Sequence, residues 1–190
     1  MHITMAPDEW RTFEGFVRCA ARYMEFGAGA STVLAAASVR DWVVAFDSSQ
    51  SWLARVEQAC RERKTTLTPT LSHIDIGETG DWGFPRGEAS RERWPLYHSS
   101  MWDDDRLCAA DLYLVDGRFR LACFAQALLH CGDHAFIAFH DYASRPHYHA
   151  AAAVAREVVR VDDLSIFMRA PGFDRGLARR LADEHAHDPR

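Results

Sequence analysis

Residues 22–32 read RYMEFGAGAST, and this stretch decides the fold. The β-rich run Arg22–Phe26 leads into a turn with glycines at positions 27 and 29, and the alanine-rich segment Ser31–Ser38 follows. Glycines allow a tight turn and a close approach of the backbone to a ligand beside the start of a helix. The stretch therefore predicts a strand, a ligand-binding turn and a helix, in that order.

The same alternation of strand and helix patterns continues along the chain. Four more runs have the apolar character of strands in a parallel sheet, namely Trp42–Phe46, Leu67–Ile76, Asp111–Val115 and Ala135–Phe139. Helical patterns lie between and after them, at Ser48–Arg63, around Leu121–Leu129 and from Pro146 to about Glu157.

The last two predicted strands are Val158–Val161 and Leu164–Arg169, and only Asp162 and Asp163 separate them. A connection of two residues demands a hairpin, so this pair is antiparallel. The whole pattern predicts an α/β fold with a doubly wound, mostly parallel sheet that ends in an antiparallel β-hairpin.

Length and composition restrict the class of protein. The 190 residues fit one domain over residues 1–180, with residues 181–190 as a frayed tail. A formal net charge of −5 argues against nucleic-acid binding, and no apolar run is long enough to cross a bilayer. Five cysteines without a C-x-x-C pair are typical of reduced thiols in a cytoplasmic protein. We expect a cytoplasmic protein without a nucleic-acid or membrane partner, and a homo-oligomer is left open.

Two carboxylates near the glycine turn indicate a nucleoside ligand. Asp47 ends the second predicted strand 20 residues after Gly27, where a carboxylate can accept hydrogen bonds from both hydroxyls of a ribose. A dinucleotide site favours a third glycine where this chain has Thr32, and the charge of Glu25 repels a pyrophosphate. Glu25 suits an ammonium group instead, and S-adenosylmethionine offers an ammonium, a ribose and an adenine.

The string E-x-G-x-G-x-S from Glu25 to Ser31 resembles motif I of class I S-adenosylmethionine-dependent methyltransferases, with Ser31 in place of a third glycine. The resemblance covers residues 20–170 and implies a Rossmann-like methyltransferase fold. The strings DIGETGDWGFP (75–85), LVDGRFR (114–120) and FHDY (139–142) resemble those of small bacterial methyltransferase-like proteins.

This resemblance implies S-adenosylmethionine as the cofactor. It assigns Glu25, Gly27 and Gly29 to the methionine end of the cofactor, Asp47 to the ribose, and Asp75 and Ile76 to the adenine. The complete predicted cofactor-binding set is Glu25, Gly27, Gly29, Ser31, Asp47, Ser48, Asp75, Ile76 and Asp116.

Asp116 and Asp141 close the fourth and fifth predicted strands, at the edge where doubly wound sheets bind ligands. The pair resembles the acids of metal-dependent O-methyltransferases, and two carboxylates with waters are adequate for Mg²⁺. Macrocin-type enzymes have Asp-Asp where this chain has His140-Asp141, which leaves His140 as a metal-free general base. The predicted catalytic residues are Asp116, His140 and Asp141, with Asp116 and Asp141 as metal ligands; the alternative is that both acids only cap a helix and a turn.

Two further regions are open at this stage. The aromatic-rich segment 77–105 is either a substrate-binding loop or a cap on the core, and Arg118 and Arg120 either meet an anionic substrate or lie in solvent. We predict a methyltransferase acting on a small-molecule acceptor. The alternatives are a non-catalytic nucleoside-binding module and an NAD-dependent oxidoreductase.

Overall fold

The computed structural model describes all 190 residues, which form one seven-stranded sheet with helices on both faces. The strands are Arg22–Phe26 (β1), Trp42–Asp47 (β2), Thr70–His73 (β3), Leu112–Val115 (β4), Phe136–Phe139 (β5), Ala155–Val161 (β6) and Leu164–Arg169 (β7). The α-helices are Pro7–Cys19 (α1), Ala30–Ser38 (α2), Gln50–Arg63 (α3), Leu96–Ser99 (α4), Arg120–His130 (α5) and Arg175–Glu184 (α6). Short 3₁₀ segments lie at Asp81–Gly83, Arg91–Arg93, Asp105–Ala109 and Pro146–Ala153. None of the helices has the length and hydropathy that a bilayer crossing requires.

The strands lie side by side in the order β3-β2-β1-β4-β5-β7-β6. β1 to β5 run parallel, whereas β7 is antiparallel to both β5 and β6. The predicted doubly wound, mostly parallel sheet with a terminal antiparallel hairpin is therefore confirmed. The strand order reverses between β1 and β4, and open α/β sheets bind ligands at such a point.

Side chains of β1 alternate between two cores. Met24 and Phe26 belong to the core that contains the buried face of α5. Tyr23 belongs to the opposite core and packs edge-on against Phe13 of α1. All of these side chains are fully buried, so β1 has no face toward solvent, as expected for the centre of a parallel sheet.

The parallel strands end together at one edge of the sheet. Phe26 lies opposite Phe46 on one side and Val115 on the other, and Val115 lies opposite Phe139. The residues that follow these strand ends therefore emerge side by side. This register brings the glycine turn and the acids that follow β2, β4 and β5 to one site.

Two element boundaries differ from the sequence-based expectation, and one helix is not predicted at all. β3 covers only Thr70–His73 because Pro69, which lacks an N–H, precedes it and only β2 pairs with it. The helical segment after Pro146 is 3₁₀ and ends at Ala153, since the backbone from Ala155 onward pairs with β7. Helix α1 was not assigned from the sequence, because the buried face of its first turn carries a charged residue, Glu9.

Residues 181–190 do not form the frayed tail that the sequence predicts. Helix α6 continues to Glu184 because Ala178, Leu181 and Ala182 form a buried stripe at helical spacing. Beyond it, the carbonyl oxygen of Arg190 accepts a hydrogen bond from the backbone N–H of Arg120 at 3.0 Å. The last ten residues are therefore packed against the rest of the fold.

Replacing Leu181 by alanine tests this packing. The substitution leaves a cavity under α6, so we expect the free energy of unfolding to fall by about 2–4 kcal/mol. Urea denaturation of the full chain measures this loss. The exposed Arg179 on the same helix provides the matched control, Arg179→Ala, which should change stability little. Equal stabilities for the two variants would contradict the packed tail.

Candidate functional site

A cavity of about 1120 Å³ opens at the edge where the parallel strands end. Its walls are the glycine turn after β1, the residues after β2, β4 and β5, the chain from His2 to Trp10, the segment Gly80–Phe84 and the hairpin turn at Asp162–Asp163. Ligand pockets in proteins commonly have volumes of about 300–1000 Å³. The cavity is therefore large enough for a nucleoside cofactor together with a small second substrate.

The turn after β1 requires glycine at position 27. Gly27 has φ +95°, and a Cβ atom there would lie 2.5 Å from the backbone nitrogen of Gly117. A Cβ atom at Gly29 would meet only the hydroxyl of Ser31, at 4.0 Å, so that position is open toward the cavity. Gly27, Gly29 and Ser31 all line the cavity, as the sequence predicts.

Glu25 lies beneath this turn rather than in the cavity. Its carboxylate is fully buried and accepts hydrogen bonds from the hydroxyls of Tyr23 at 2.7 Å, Ser31 at 2.6 Å and Thr32. Burial raises the pKa of Glu25 to about 7, although the three hydroxyl groups oppose the rise. The structure therefore does not place Glu25 in the cavity wall with the other predicted cofactor-binding residues, whereas its hydrogen-bond partner Ser31 lies in that wall.

Asp47 lines the cavity and is held in place by the backbone. One carboxylate oxygen accepts the N–H of Ala28 at 3.1 Å, and the other accepts the N–H of Ser49 at 2.8 Å. Burial raises the pKa of Asp47, and these backbone donors limit the rise. Each carboxylate oxygen can accept a further hydrogen bond, so the group remains able to bind a ligand hydroxyl. Ser48 also lines the cavity.

Asp75 and Ile76, which are predicted to line an adenine, do not lie in the wall of the cavity with the other predicted cofactor-binding residues. Asp75 forms an ion pair with Arg93 and accepts the N–H of Gly77 at 2.9 Å. Ile76 is buried in the larger core.

The structure divides the segment 77–105 between the cavity wall and the core. Trp94, Tyr97 and Trp102 are buried in the core next to α5, which is the capping role. Trp82 and Phe84 are exposed and line the cavity, which is the ligand-facing role. The first part of the segment therefore lines the cavity, and the second part completes the core, from which Tyr97 also reaches the cavity wall.

Asp116, His140 and Asp141 come together at the ends of β4 and β5, as predicted. Nδ1 of His140 lies 2.9 Å from Oδ1 of Asp116. The guanidinium of Arg120 lies between the two carboxylates, with Nη2 at 3.2 Å from Oδ1 of Asp116 and Nη1 at 2.9 Å from Oδ2 of Asp141. Arg145 also pairs with Asp141, at 2.7 Å. Both acids are therefore neutralised by charges of the protein itself.

His140 faces a carboxylate on each side. Besides Asp116 at Nδ1, the buried Glu9 of α1 lies 3.5 Å from Nε2. Burial lowers the pKa of His140, but the hydrogen bond with Asp116 and its charge raise it more, so the net pKa lies above the ordinary value. Burial likewise raises the pKa of Asp116, but His140 and Arg120 lower it below the ordinary value. This pairing stabilises the imidazolium form of His140.

The cluster does not fit a divalent cation as it stands. Asp116, His140 and Asp141 each offer one ligand atom, and these atoms lie within 4.8 Å of one another. The Arg120 guanidinium already holds both carboxylates, and a divalent ion between them would sit against this buried positive charge. Arg120 fills the role of the cation that two neighbouring carboxylates need.

Three residues of the site were not predicted. Glu9 reaches His140 from an element that was not assigned, and Trp52 donates from its indole nitrogen to the carbonyl of Ala28 at 2.7 Å. The third is Arg120 in its role as the internal cation. Asp116 lies before α5, so helical spacing gives no signal for this ion pair.

Comparisons with known proteins agree with this fold. A methyltransferase-like protein from Silicibacter pomeroyi superposes with a TM-score of 0.88 at 25% identity, over 99% of this chain and 98% of that one. The O-methyltransferase TomG from Streptomyces achromogenes, solved with S-adenosylmethionine, has a TM-score of 0.60 at 14% identity, over 89% of this chain and 82% of its own. A Bacillus cereus O-methyltransferase, solved with S-adenosylhomocysteine, has a TM-score of 0.59 at 11% identity over 87% of this chain and 82% of its own.

No protein-family model matches the chain, and no curated protein matches it in sequence. The structural matches nevertheless confirm the resemblance stated from the sequence. The chain has the fold of class I S-adenosylmethionine-dependent methyltransferases.

The buried Glu25 carboxyl gives the protein a pH-dependent stability. Its folded pKa of about 7 lies above the ordinary value of 4.5, so the unfolded state releases this proton first as the pH rises. Stability should therefore fall between pH 4.5 and 7, by up to about 3 kcal/mol from this group. Urea denaturation of the wild type and of Glu25→Gln across this range measures the loss, which the variant should lack.

The exposed Glu57 provides the matched control, because Glu57→Gln removes a carboxylate that pairs only at the surface with Arg61. Its stability should follow the wild-type curve over the whole range. A constant difference between the wild type and Glu25→Gln at every pH would contradict the raised pKa.

Proposed function

We propose that this chain binds S-adenosylmethionine in the cavity and transfers its methyl group to a small-molecule acceptor. One observation carries the proposal: the glycine turn and Asp47 stand together in the wall of a single cavity. The fold adds support, since structural neighbours have been solved with S-adenosylmethionine and with S-adenosylhomocysteine.

The cofactor would lie across the ends of β1 and β2. The first N–H groups of α2 have no partners within the helix, and they suit the carboxylate of the methionine moiety. The Ser31 hydroxyl suits its ammonium group, with Glu25 acting through Ser31. The ribose hydroxyls would donate to Asp47. This orientation directs the methyl group toward the ends of β4 and β5.

The acceptor would then meet Asp116. Oδ1 of this carboxylate is held by His140 and Arg120, and Oδ2 has no hydrogen bond within the protein. An acceptor hydroxyl donating to Oδ2 would have its oxygen lone pair directed at the methyl carbon. An oxygen acceptor is also consistent with the O-methyltransferases among the structural neighbours.

In the transfer step, the acceptor oxygen forms a bond to the methyl carbon while the bond from that carbon to sulfur breaks. The sulfonium takes the electron pair and becomes the neutral thioether of S-adenosylhomocysteine, and the hydroxyl proton leaves to Asp116. A hydroxyl oxygen that has gained a methyl group is a strong acid, so a carboxylate with a lowered pKa is a sufficient base. Arg120 and the His140 imidazolium keep Asp116 ionised for this role.

We expect this reaction to need no divalent metal, because Arg120 holds the two acids that a metal would bind. Titration of the wild type with Mn²⁺, followed by electron paramagnetic resonance, should detect no bound ion at about 1 mM, well above the range of dedicated metal sites. Production of S-adenosylhomocysteine should survive EDTA. Tight Mn²⁺ binding that disappears in Asp141→Asn would contradict the metal-free mechanism.

Asp47→Asn tests the cofactor site. The amide keeps one acceptor oxygen but loses the charge, so S-adenosylhomocysteine should bind more weakly by about 1.5–3 kcal/mol. Titration calorimetry measures the affinity, and circular dichroism checks the fold. Asp75→Asn is the matched control, because Asp75 lies outside the cavity, and its affinity should equal that of the wild type. Equal weakening in both variants would contradict the proposed cofactor position.

The two alternatives make different predictions in the same experiments. An NAD-dependent oxidoreductase would be stabilised against heat by nicotinamide cofactors and not by S-adenosylhomocysteine. A non-catalytic binding module would bind S-adenosylhomocysteine but produce none of it from S-adenosylmethionine with a panel of phenols, sugars and carboxylates.

A further inference from the structure

Arg118 is a buried arginine without a partner. Only 6% of the surface of Arg118 is exposed. Its Nε and Nη1 atoms are shielded from water and form no hydrogen bond. Arg120, two residues later, is equally buried but donates to three backbone carbonyls and pairs with two carboxylates. No carboxylate lies within ion-pair distance of Arg118. Two of the three guanidinium nitrogens of Arg118 are therefore buried without a hydrogen-bond partner.

The position of Arg118 directs it to the ligand. It follows Gly117 in the connection between β4 and α5, and it lines the cavity. The ring of Phe84 lies 4.0 Å from its guanidinium carbon. Its third nitrogen, Nη2, is neither bonded nor fully buried, so the guanidinium meets the cavity at that atom.

The energetics require a negative partner. Burial lowers the pKa of Arg118, and the nearby Arg120 lowers it further. The contact with Phe84 offsets part of this cost, because a cation over an aromatic ring contributes about 0.5–2 kcal/mol. A buried donor without a partner costs about 1–3 kcal/mol, and more when it is charged. An anion that enters the cavity would remove this cost.

The charges of the cofactor indicate which ligand brings that anion. S-adenosylmethionine carries a sulfonium and an ammonium against one carboxylate, so its net charge is positive. Its carboxylate already has donors at the start of α2, in the proposed orientation. An unpaired guanidinium beside a cationic cofactor is unfavourable unless the second ligand is negative.

We infer that Arg118 binds an anionic group, a carboxylate or a phosphate, on the methyl acceptor. This inference rests on the proposed methyltransferase function and deepens it by naming the substrate class. The acceptor is then a small molecule with a hydroxyl at Asp116 and a negative group at Arg118. Arg118 is a specificity-determining residue in this arrangement.

The test uses the full chain labelled with ¹⁵N-arginine. The side-chain Nε–H signal of Arg118 is assigned through its backbone and confirmed by its loss in Arg118→Leu. Inorganic phosphate and acetate are the probes, titrated into the free protein and into its complex with S-adenosylhomocysteine, with chloride at equal ionic strength as the reference. Arg61→Leu, an exposed arginine of α3, is the matched control.

We expect phosphate to shift the Arg118 signal saturably in the cofactor complex, and chloride to leave it in place. Arg118→Leu should bind S-adenosylhomocysteine with an affinity within about twofold of the wild type, because the cofactor carboxylate lies elsewhere. Arg61→Leu should keep the phosphate-induced shift. An Arg118 signal that no anion moves in the complex would overturn the inference.

A second outcome would overturn the inference by assigning the anion to the cofactor. In that case Arg118→Leu weakens S-adenosylhomocysteine tenfold or more but leaves 5′-methylthioadenosine, which has no carboxylate, unaffected. Failure of the proposed function differs from these two outcomes, because the wild type would then not bind S-adenosylhomocysteine at all. The signal of the wild type reports on anions even if Arg118→Leu does not fold.

Discussion

The guanidinium of Arg120 holds the functional edge of the sheet together. Its nitrogens donate to the carbonyls of Asp116, Gly117 and His140, and they pair with the side chains of Asp116 and Asp141. Two strand ends that would otherwise bring carboxylates into repulsion are therefore joined by one buried cation. Because Arg120 is also the first residue of α5, the position of that helix and the geometry of the acids depend on the same side chain.

The acidic side chains of the cavity differ in whether they form ion pairs. At the ends of β4 and β5, every acid has a positive partner, and His140 is shared between Asp116 and Glu9. At the ends of β1 and β2, Asp47 accepts hydrogen bonds only from backbone N–H groups and forms no ion pair. Paired groups fix geometry, whereas unpaired groups are free to exchange water for a ligand. The pairing pattern therefore fixes the geometry at the ends of β4 and β5, where only Oδ2 of Asp116 is left to bind a ligand, and leaves both oxygens of Asp47 able to bind one.

The sequence was informative where the determining contacts are local. The strand, glycine turn and helix at residues 22–38 follow from neighbouring residues, and strand periodicity predicted the sheet edge that gathers Asp47, Asp116 and Asp141. It was misleading where contacts are distant. Glu9 accepts a hydrogen bond from the N–H of Asp163, 154 residues away, and no sequence pattern near α1 predicts that bond. Spacing along the chain also could not show that Glu25 lies beneath the turn, since this depends on three hydroxyl groups turning inward around it.

The contact between Gly27 and Gly117 links the two halves of the cavity. A Cβ atom on Gly27 would overlap the backbone of Gly117, and a Cβ atom on Gly117 would lie 2.2 Å from the Tyr97 hydroxyl. The turn after β1 and the turn after β4 are thus in direct backbone contact, with no side chain to absorb a shift. A ligand that displaced one turn would have to displace the other as well, so that occupation of one half of the cavity would change the affinity of the other half. Thermodynamic linkage would make such an effect reciprocal, so that a ligand in either half of the cavity would alter binding in the other half.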